Sequence, residues 1–316
     1  MKPGWTAGVT RARLLLNRAI GPGLASTVAA SPSLADGLAA LAGSAYGERV
    51  QAGQDLTSAE RGAADTLLWH LRILAGWLPV AGAALVRALA GWFELANIDA
   101  RLAALAGGWR EPAPFVLGPL ATAWGAAEQA RTIEELVDAI SVSAWTLPRA
   151  HSAAELAIGL RVAWARRVVE SAPAAADWVA GAGALLAVRE LLVEHSGKYS
   201  EQLRHYPGID DRAFGVGTLP AFRDAVGARA GWALGTITEP DELWRAELAW
   251  WDRVEEDSRL LLRHSDDESV VLAAVALLAV DAQRTARALR SAAQGAGAGP
   301  ARLVDQTSTE SLGGAH

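Results

Sequence analysis

Two pairs of residues have the spacing of a helix-face metal or proton-transfer site: His151 with Glu155, and Glu201 with His205. Side chains four apart share a helix face. A metal site needs further ligands, and neither His-Glu-x-x-His nor Glu-x-x-His occurs in the chain. Both pairs therefore read as solvated surface pairs. Acidic residues cluster at Glu255-Glu256-Asp257 and Asp266-Asp267-Glu268. An all-helical cavity enzyme of the terpene-cyclase kind would hold magnesium with Asp-Asp-x-x-Asp. Here Ser269 and Val270 follow instead, so the second cluster reads as a loop and an N-cap for the last helix. No Gly-x-x-x-x-Gly-Lys-[Ser/Thr] cradles a phosphate, and no Gly-x-Ser-x-Gly presents a nucleophile. Gly215-Val216-Gly217 has Pro220 where a dinucleotide fingerprint needs its third glycine. The expectation is a non-catalytic chain with no catalytic residue, no cofactor, no metal and no nucleotide site.

Polar residues of another kind stand in the apolar stretch GWFELANIDARLAALAGG, residues 91–108. At 100° per residue, Leu95, Ile98, Leu102, Leu105 and Trp109 share one broad face. Ala96, Ala100 and Ala103 lie opposite, and Arg87, Glu94, Asn97 and Arg101 form a narrow stripe between. A stripe left between two covered faces suits the wall of a cavity that meets a partner. The other reading is an internal network, tolerable only if the charges are paired. Aligning Gly108 with Gly295 sets Asp281 on Glu94 and Arg284 on Asn97, which extends the candidate partner-facing set to six residues. The partner reading expects charge reversal at Glu94 and Arg101 to weaken binding without unfolding the chain.

The elements that must position these residues are helices. The 316 residues are rich in alanine and poor in β-branched side chains, and half are hydrophobic. Apolar residues recur with helical period over about 10–29, 33–44, 57–76, 79–107, 115–129, 132–142, 152–171, 174–196, 219–234, 239–263 and 268–294. Thirteen tryptophans, spread along the chain, read as core anchors. The absence of cysteine excludes disulfides and thiolate chemistry. A net charge of −6 argues against nucleic acid as a partner. Lys2, Arg11, Arg13 and Arg18 interrupt any apolar signal region at the start. Ile73–Val86 and Ser269–Val280 fall short of the roughly 18 to 20 residues a membrane span needs. A soluble chain with apolar core helices is expected.

The chain also resembles itself. PSLADGLAALAGSAYG (32–47) matches RTIEELVDAISVSAWT (131–146): a short helix after Ser or Thr, then Ser-Ala and an aromatic, Tyr46 or Trp145. A weaker third copy is ITEPDELWRAELAWWD (237–252), with Trp250 and Trp251 near the equivalent place. The long apolar helices 79–107, 174–196 and 268–294 follow the same beat. The expected fold is all-α, with three pseudo-symmetric helical repeats, 1–112, 113–206 and 207–295, and a disordered tail at 296–316.

These segments resemble the V/A-type ATPase central-stalk subunit, called C in prokaryotes and d in eukaryotes. TRARLLLNR (10–18) resembles that family's Ala-Arg-x-Arg opening, and PSLADGLAALAGSAYG its short helix followed by Thr-x-Tyr. FELANIDARLAALAGG (93–108) is similar to its Asp-x-x-Asn-Leu/Ile-Lys helix end, and ALLAVDAQRTARALRSAAQG (276–295) to its last repeat. The chain departs from the pattern at Asp99, where the family has lysine, and at Arg284, where it has asparagine. The middle copy, GALLAVRELLVEHSGK (183–198), lacks the acid–Asn pair. The resemblance implies a three-lobed funnel or socket on the cytoplasmic side of a membrane, peripheral to it. Such a subunit joins the soluble central shaft to the membrane rotor ring, touches the membrane only through the ring, and carries torque without catalysis. A helical scaffold of the same fold with another partner, and an all-helical cavity enzyme, are the alternatives.

Overall fold

The computed structural model describes residues 4–107, 112–145, 152–194, 200–265 and 267–295. The tail 296–316 lies outside them, as do Gly108, Trp109, His151, Gly197 and Asp266. Among the described residues every regular element is helical and none is a strand. Many helix starts are set by the polar residue the sequence places before an apolar run. The side chains of Ser33, Asp55, Thr132, Ser152 and Thr218 each accept the backbone N–H three residues on. Such a cap stabilises a helix by about 1 kcal/mol, because the first N–H groups have no intrahelical partner.

The chain divides into two compact units, one from residues up to Val86 and from Val254 on, the other Arg87–Arg253. In the first unit the helix Glu268–Gln294 is central. It packs on Thr6–Leu15, Gly21–Ala29, Leu34–Leu41 and Leu56–Gly76. Val28, Leu41, Leu71, Leu74, Val270, Val271 and Leu289 form its dry interior. By length and composition that helix could cross a membrane, which the shorter uncharged run 269–280 had not suggested; 61% of its apolar stretch is buried within the chain.

In the second unit Gly91–Leu105 packs on Ala153–Ser171, and Ala176–Val188 packs on Ala228–Gly231 and the 3-10 turn Trp232–Leu234. Val162, Leu185, Phe222, Leu234 and Leu243 share one apolar cluster. Trp5, Trp124, Trp145 and Trp178 are buried anchors, whereas Trp77 is largely exposed.

Several expected helices are broken. The 10–29 run is Thr6–Leu15, a 3-10 turn Leu16–Arg18 and then Gly21–Ala29. The 79–107 run is Val80–Leu89 and Gly91–Leu105, and the 115–129 run is reduced to Gly118–Leu120 and Trp124–Ala127. Gly21-Pro22, Gly91 and Gly118-Pro119 weaken the helix locally at these places, and at Ile20 and Thr122 contacts from distant residues hold the interrupted backbone. The 237–252 segment also differs from its expected form. It is a 3-10 turn followed by the helix Leu243–His264, which contains both Trp250 and Trp251, so no short helix ends in an aromatic turn there.

Gly62, inside Leu56–Gly76, illustrates packing over propensity. A Cβ at this position would lie 2.4 Å from the carbonyl oxygen of Arg49. Gly62→Ala is expected to destabilise by about 1–3 kcal/mol despite alanine's better helix propensity. Gly76→Ala, where a Cβ meets nothing within 4 Å, is expected to be neutral or slightly stabilising; denaturant midpoints of both variants check the pair.

His70 on the same helix is buried, and its imidazole is pushed down to about 4, by burial first and then by Arg18, Arg49 and Arg11. The unfolded chain takes up this proton near pH 6.5 while the folded chain resists it until about 4. Stability therefore falls as pH drops through that window, by up to about 3 kcal/mol from this residue. Urea unfolding at pH 7 and pH 4.5 is expected to show a smaller loss in His70→Phe than in the unaltered chain.

Candidate functional site

The polar stripe shares one target. All four residues of Arg87, Glu94, Asn97 and Arg101 bind backbone groups of the segment 115–130. Arg87 donates through Nε and Nη2 to the Pro119 carbonyl, both at 3.1 Å. Asn97 donates from Nδ2 to the Phe115 carbonyl at 3.0 Å and accepts the Phe115 N–H at 2.7 Å. Its amide thus matches one residue's backbone in both directions. Arg101 donates from Nε to the Ala130 carbonyl at 3.1 Å.

Glu94 is the centre of the arrangement. Its Oε1 accepts the N–H groups of Thr122, Ala123 and Trp124 at 2.8, 2.6 and 2.7 Å. Its Oε2 accepts the indole N–H of Trp145 at 3.0 Å. Those three amides lead into the helix Trp124–Ala127: Trp124 is its first residue, Ala123 its N-cap and Thr122 the residue before, so none has a partner within the helix. A carboxylate at a helix start is favoured by both hydrogen bonding and the positive end of the peptide dipoles. Arg167 lies over the Trp145 ring, 4.7 Å from its centroid, and donates to the Thr122 hydroxyl at 3.3 Å. With 1% of Glu94 exposed, its charge is stabilised wholly by the protein.

Asp281 does the same in the other unit. Its carboxylate accepts the N–H groups of Ile20 and Gly21 at 3.0 and 2.9 Å, at the start of Gly21–Ala29. It also accepts the Tyr46 hydroxyl at 2.9 Å. Burial, with this carboxylate beside it, pushes the Tyr46 phenol above its ordinary range.

The two settings agree in their backbone as well. A three-residue 3-10 turn, Leu16–Arg18 or Gly118–Leu120, ends at an extended alanine, Ala19 (φ −64°, ψ 140°) or Ala121 (φ −62°, ψ 143°). The acid then takes the next N–H groups. Further on, Ser33 or Thr132 caps a short helix, and Ser44 or Ser143 donates to the Leu41 or Ile140 carbonyl. The same hydroxyl accepts the N–H of Tyr46 or Trp145, which turns the aromatic inward to its acid. Even the far ends correspond: Ser291 donates to the Ala29 carbonyl as Arg101 does to that of Ala130.

Glu94, Asn97 and Asp281 are thus 1–2% exposed and used inside the chain, which corrects their placement on a partner-facing wall. The physical reason is backbone that needs partners its own helices do not supply: the irregular 115–130 segment for Glu94 and Asn97, the start of Gly21–Ala29 for Asp281. Charge reversal at Glu94 acts on folding before it acts on any partner. Arg284, aligned with Asn97, plays a different part: it pairs with Glu255 at 2.7 Å and stands 3.9 Å from Asp281. The sequence marked both acids and both aromatics as equivalent but not their contact. The capped short helix followed by Ser-Ala-aromatic, shared in the same order by both units, was the available signal. Among the described residues, no cluster of three or more His, Asp or Glu side chains is placed to hold a metal. Comparison with protein-family models and with curated protein sequences gives no match.

Glu94→Gln keeps the shape and removes the charge from four donors, and is expected to cost about 2–4 kcal/mol. Tyr46→Phe removes one bond to a carboxylate and is expected to cost about 2 kcal/mol. Asn97→Asp, which sets an acceptor against the Phe115 carbonyl, is expected to destabilise more than Asn97→Ala. Denaturant unfolding of the three sites ranks them.

Proposed function

We propose that this chain is a non-catalytic coupling subunit of a V/A-type rotary ATPase, seated between the soluble central shaft and the membrane rotor ring. The observation that carries the reading is the duplicated acid-capped arrangement. It involves segments whose sequence resembles the central-stalk family, 93–108, 276–295, 10–18 and 32–47, together with 131–146, which matches 32–47 within the chain. In this reading the body is built from three related lobes around a socket for the shaft. A proton crossing 100 mV carries about 2.3 kcal/mol, so a coupler fed by several protons transmits on the order of 10 kcal/mol per step. Helices tied to irregular connections by buried carboxylates suit that load, because the connections cannot slide without breaking several charged hydrogen bonds.

The same observation supports a second reading. Since Glu94, Asn97 and Asp281 serve the interior, a scaffold of this architecture with a different partner would retain them too.

Affinity purification of the tagged full chain from gently solubilised membranes of its own organism separates the two. The coupling role predicts that shaft and ring subunits of a rotary ATPase co-purify in fixed ratio. A preparation without them, under conditions where a tagged catalytic subunit retrieves its whole complex, overturns it.

A further inference from the structure

We infer that the second unit holds a third joint of the same kind, built on Ala180, Gly208, Thr218 and Trp232, in which close packing takes the place of the acid. The match is one of order and spacing. Glu94 lies 28 residues before Thr122, the first N–H it binds, and Ala180 lies the same number before Gly208. A Cβ at Gly208 would be 2.6 Å from the Cβ of Ala180, so the backbone here comes down onto the helix Ala176–Val188 where a carboxylate would otherwise reach up. Gly208 has φ +81°; at the Asp281 joint a glycine of positive φ, Gly21 at +65°, stands one position further on. The turn before it also corresponds: the N–H of Tyr206 bonds to the Leu203 carbonyl, as that of Leu120 bonds to Leu117.

The later steps follow in register. The Thr218 hydroxyl caps the helix Leu219–Ala225, as Ser33 and Thr132 cap theirs. Trp232 comes fourteen residues after its cap residue, where Tyr46 and Trp145 come thirteen after theirs. It turns back to the same helix, with Gly181 leaving room for its ring. With no acid to meet, its indole N–H goes to the Asp177 carbonyl at 3.3 Å. This third copy, 218–232, differs from the one read at 237–252 in the sequence.

The consequence is unequal strength. Two joints are held by several hydrogen bonds to one buried charge. In the third, the Ile209 N–H reaches the Tyr206 carbonyl at 3.4 Å, the Trp232 indole reaches the Asp177 carbonyl at 3.3 Å, and the ion pair Arg229–Asp177 is exposed, so no buried charge gathers the backbone. The third joint is therefore the first to open. The inference stands on the chain's own geometry and does not depend on the proposed partner.

Hydrogen–deuterium exchange of the full chain tests it. In the unaltered protein, protection factors over 206–232 are expected to be about tenfold or more below those over 19–29 and 121–127. Gly208→Ala, which adds a Cβ at positive φ against Ala180, is expected to lower protection over 206–232 alone. Glu94→Gln is expected to lower it over 121–127 and leave 206–232 unchanged. Equal protection at all three joints in the unaltered protein, or a Gly208→Ala variant unchanged over 206–232, overturns the proposal.

Discussion

A charge removed from water must be met by the protein at every lone pair it presents, or it destabilises the fold that buries it. Glu94 and Asp281 meet that demand in one way. Each sits on a long apolar helix and collects the first N–H groups of a helix far away in sequence, together with one aromatic donor. The need runs both ways, because the receiving helix has N–H groups that its own turns cannot satisfy. Carboxylate and helix start therefore fix one another.

The remaining polar residues of the stripe extend this constraint. Arg87, Asn97 and Arg101 take up carbonyls and an amide over 115–130, a segment with little helix to satisfy them internally. Polar groups in an apolar region thus need no ligand to explain them. They answer the backbone of their own chain. In the other unit Asp281 and Ser291 hold the two ends of Gly21–Ala29 from a single helix. A body organised this way keeps its irregular connections in place, a property that suits the mechanical role proposed for it.

Much of this was legible in the sequence. Helical period placed the long elements, and Ser33, Thr132, Ser152 and Thr218 marked helix starts through local chemistry. The Ser-Ala-aromatic match correctly paired Tyr46 with Trp145, and the glycine alignment paired Asp281 with Glu94. The breaks at Ala19 and Ala121 had a local signal in Gly21-Pro22 and Gly118-Pro119 that the helical period overrode, and the acid that holds each one lies 261 residues from Ile20 in one case and 28 from Thr122 in the other. Nor was the direction of the stripe. A helical wheel separates polar from apolar faces, but it does not say whether the polar face meets solvent, a partner or the same chain. At 237–252 the paired tryptophans suggested an aromatic turn, but both lie inside the helix Leu243–His264, which a local match of residue types could not foresee.

The account turns on the buried carboxylate holding an aromatic donor, and that contact has its own spectroscopic signal. The indole N–H of Trp145, identified in a nitrogen–proton correlation spectrum by its loss in Trp145→Phe, should exchange slowly with solvent and shift strongly in Glu94→Gln. The indole signals of tryptophans outside the unit that holds Glu94 should stay where they are. A Trp145 indole that exchanges as fast as that of exposed Trp77, or that is indifferent to Glu94, would contradict the account.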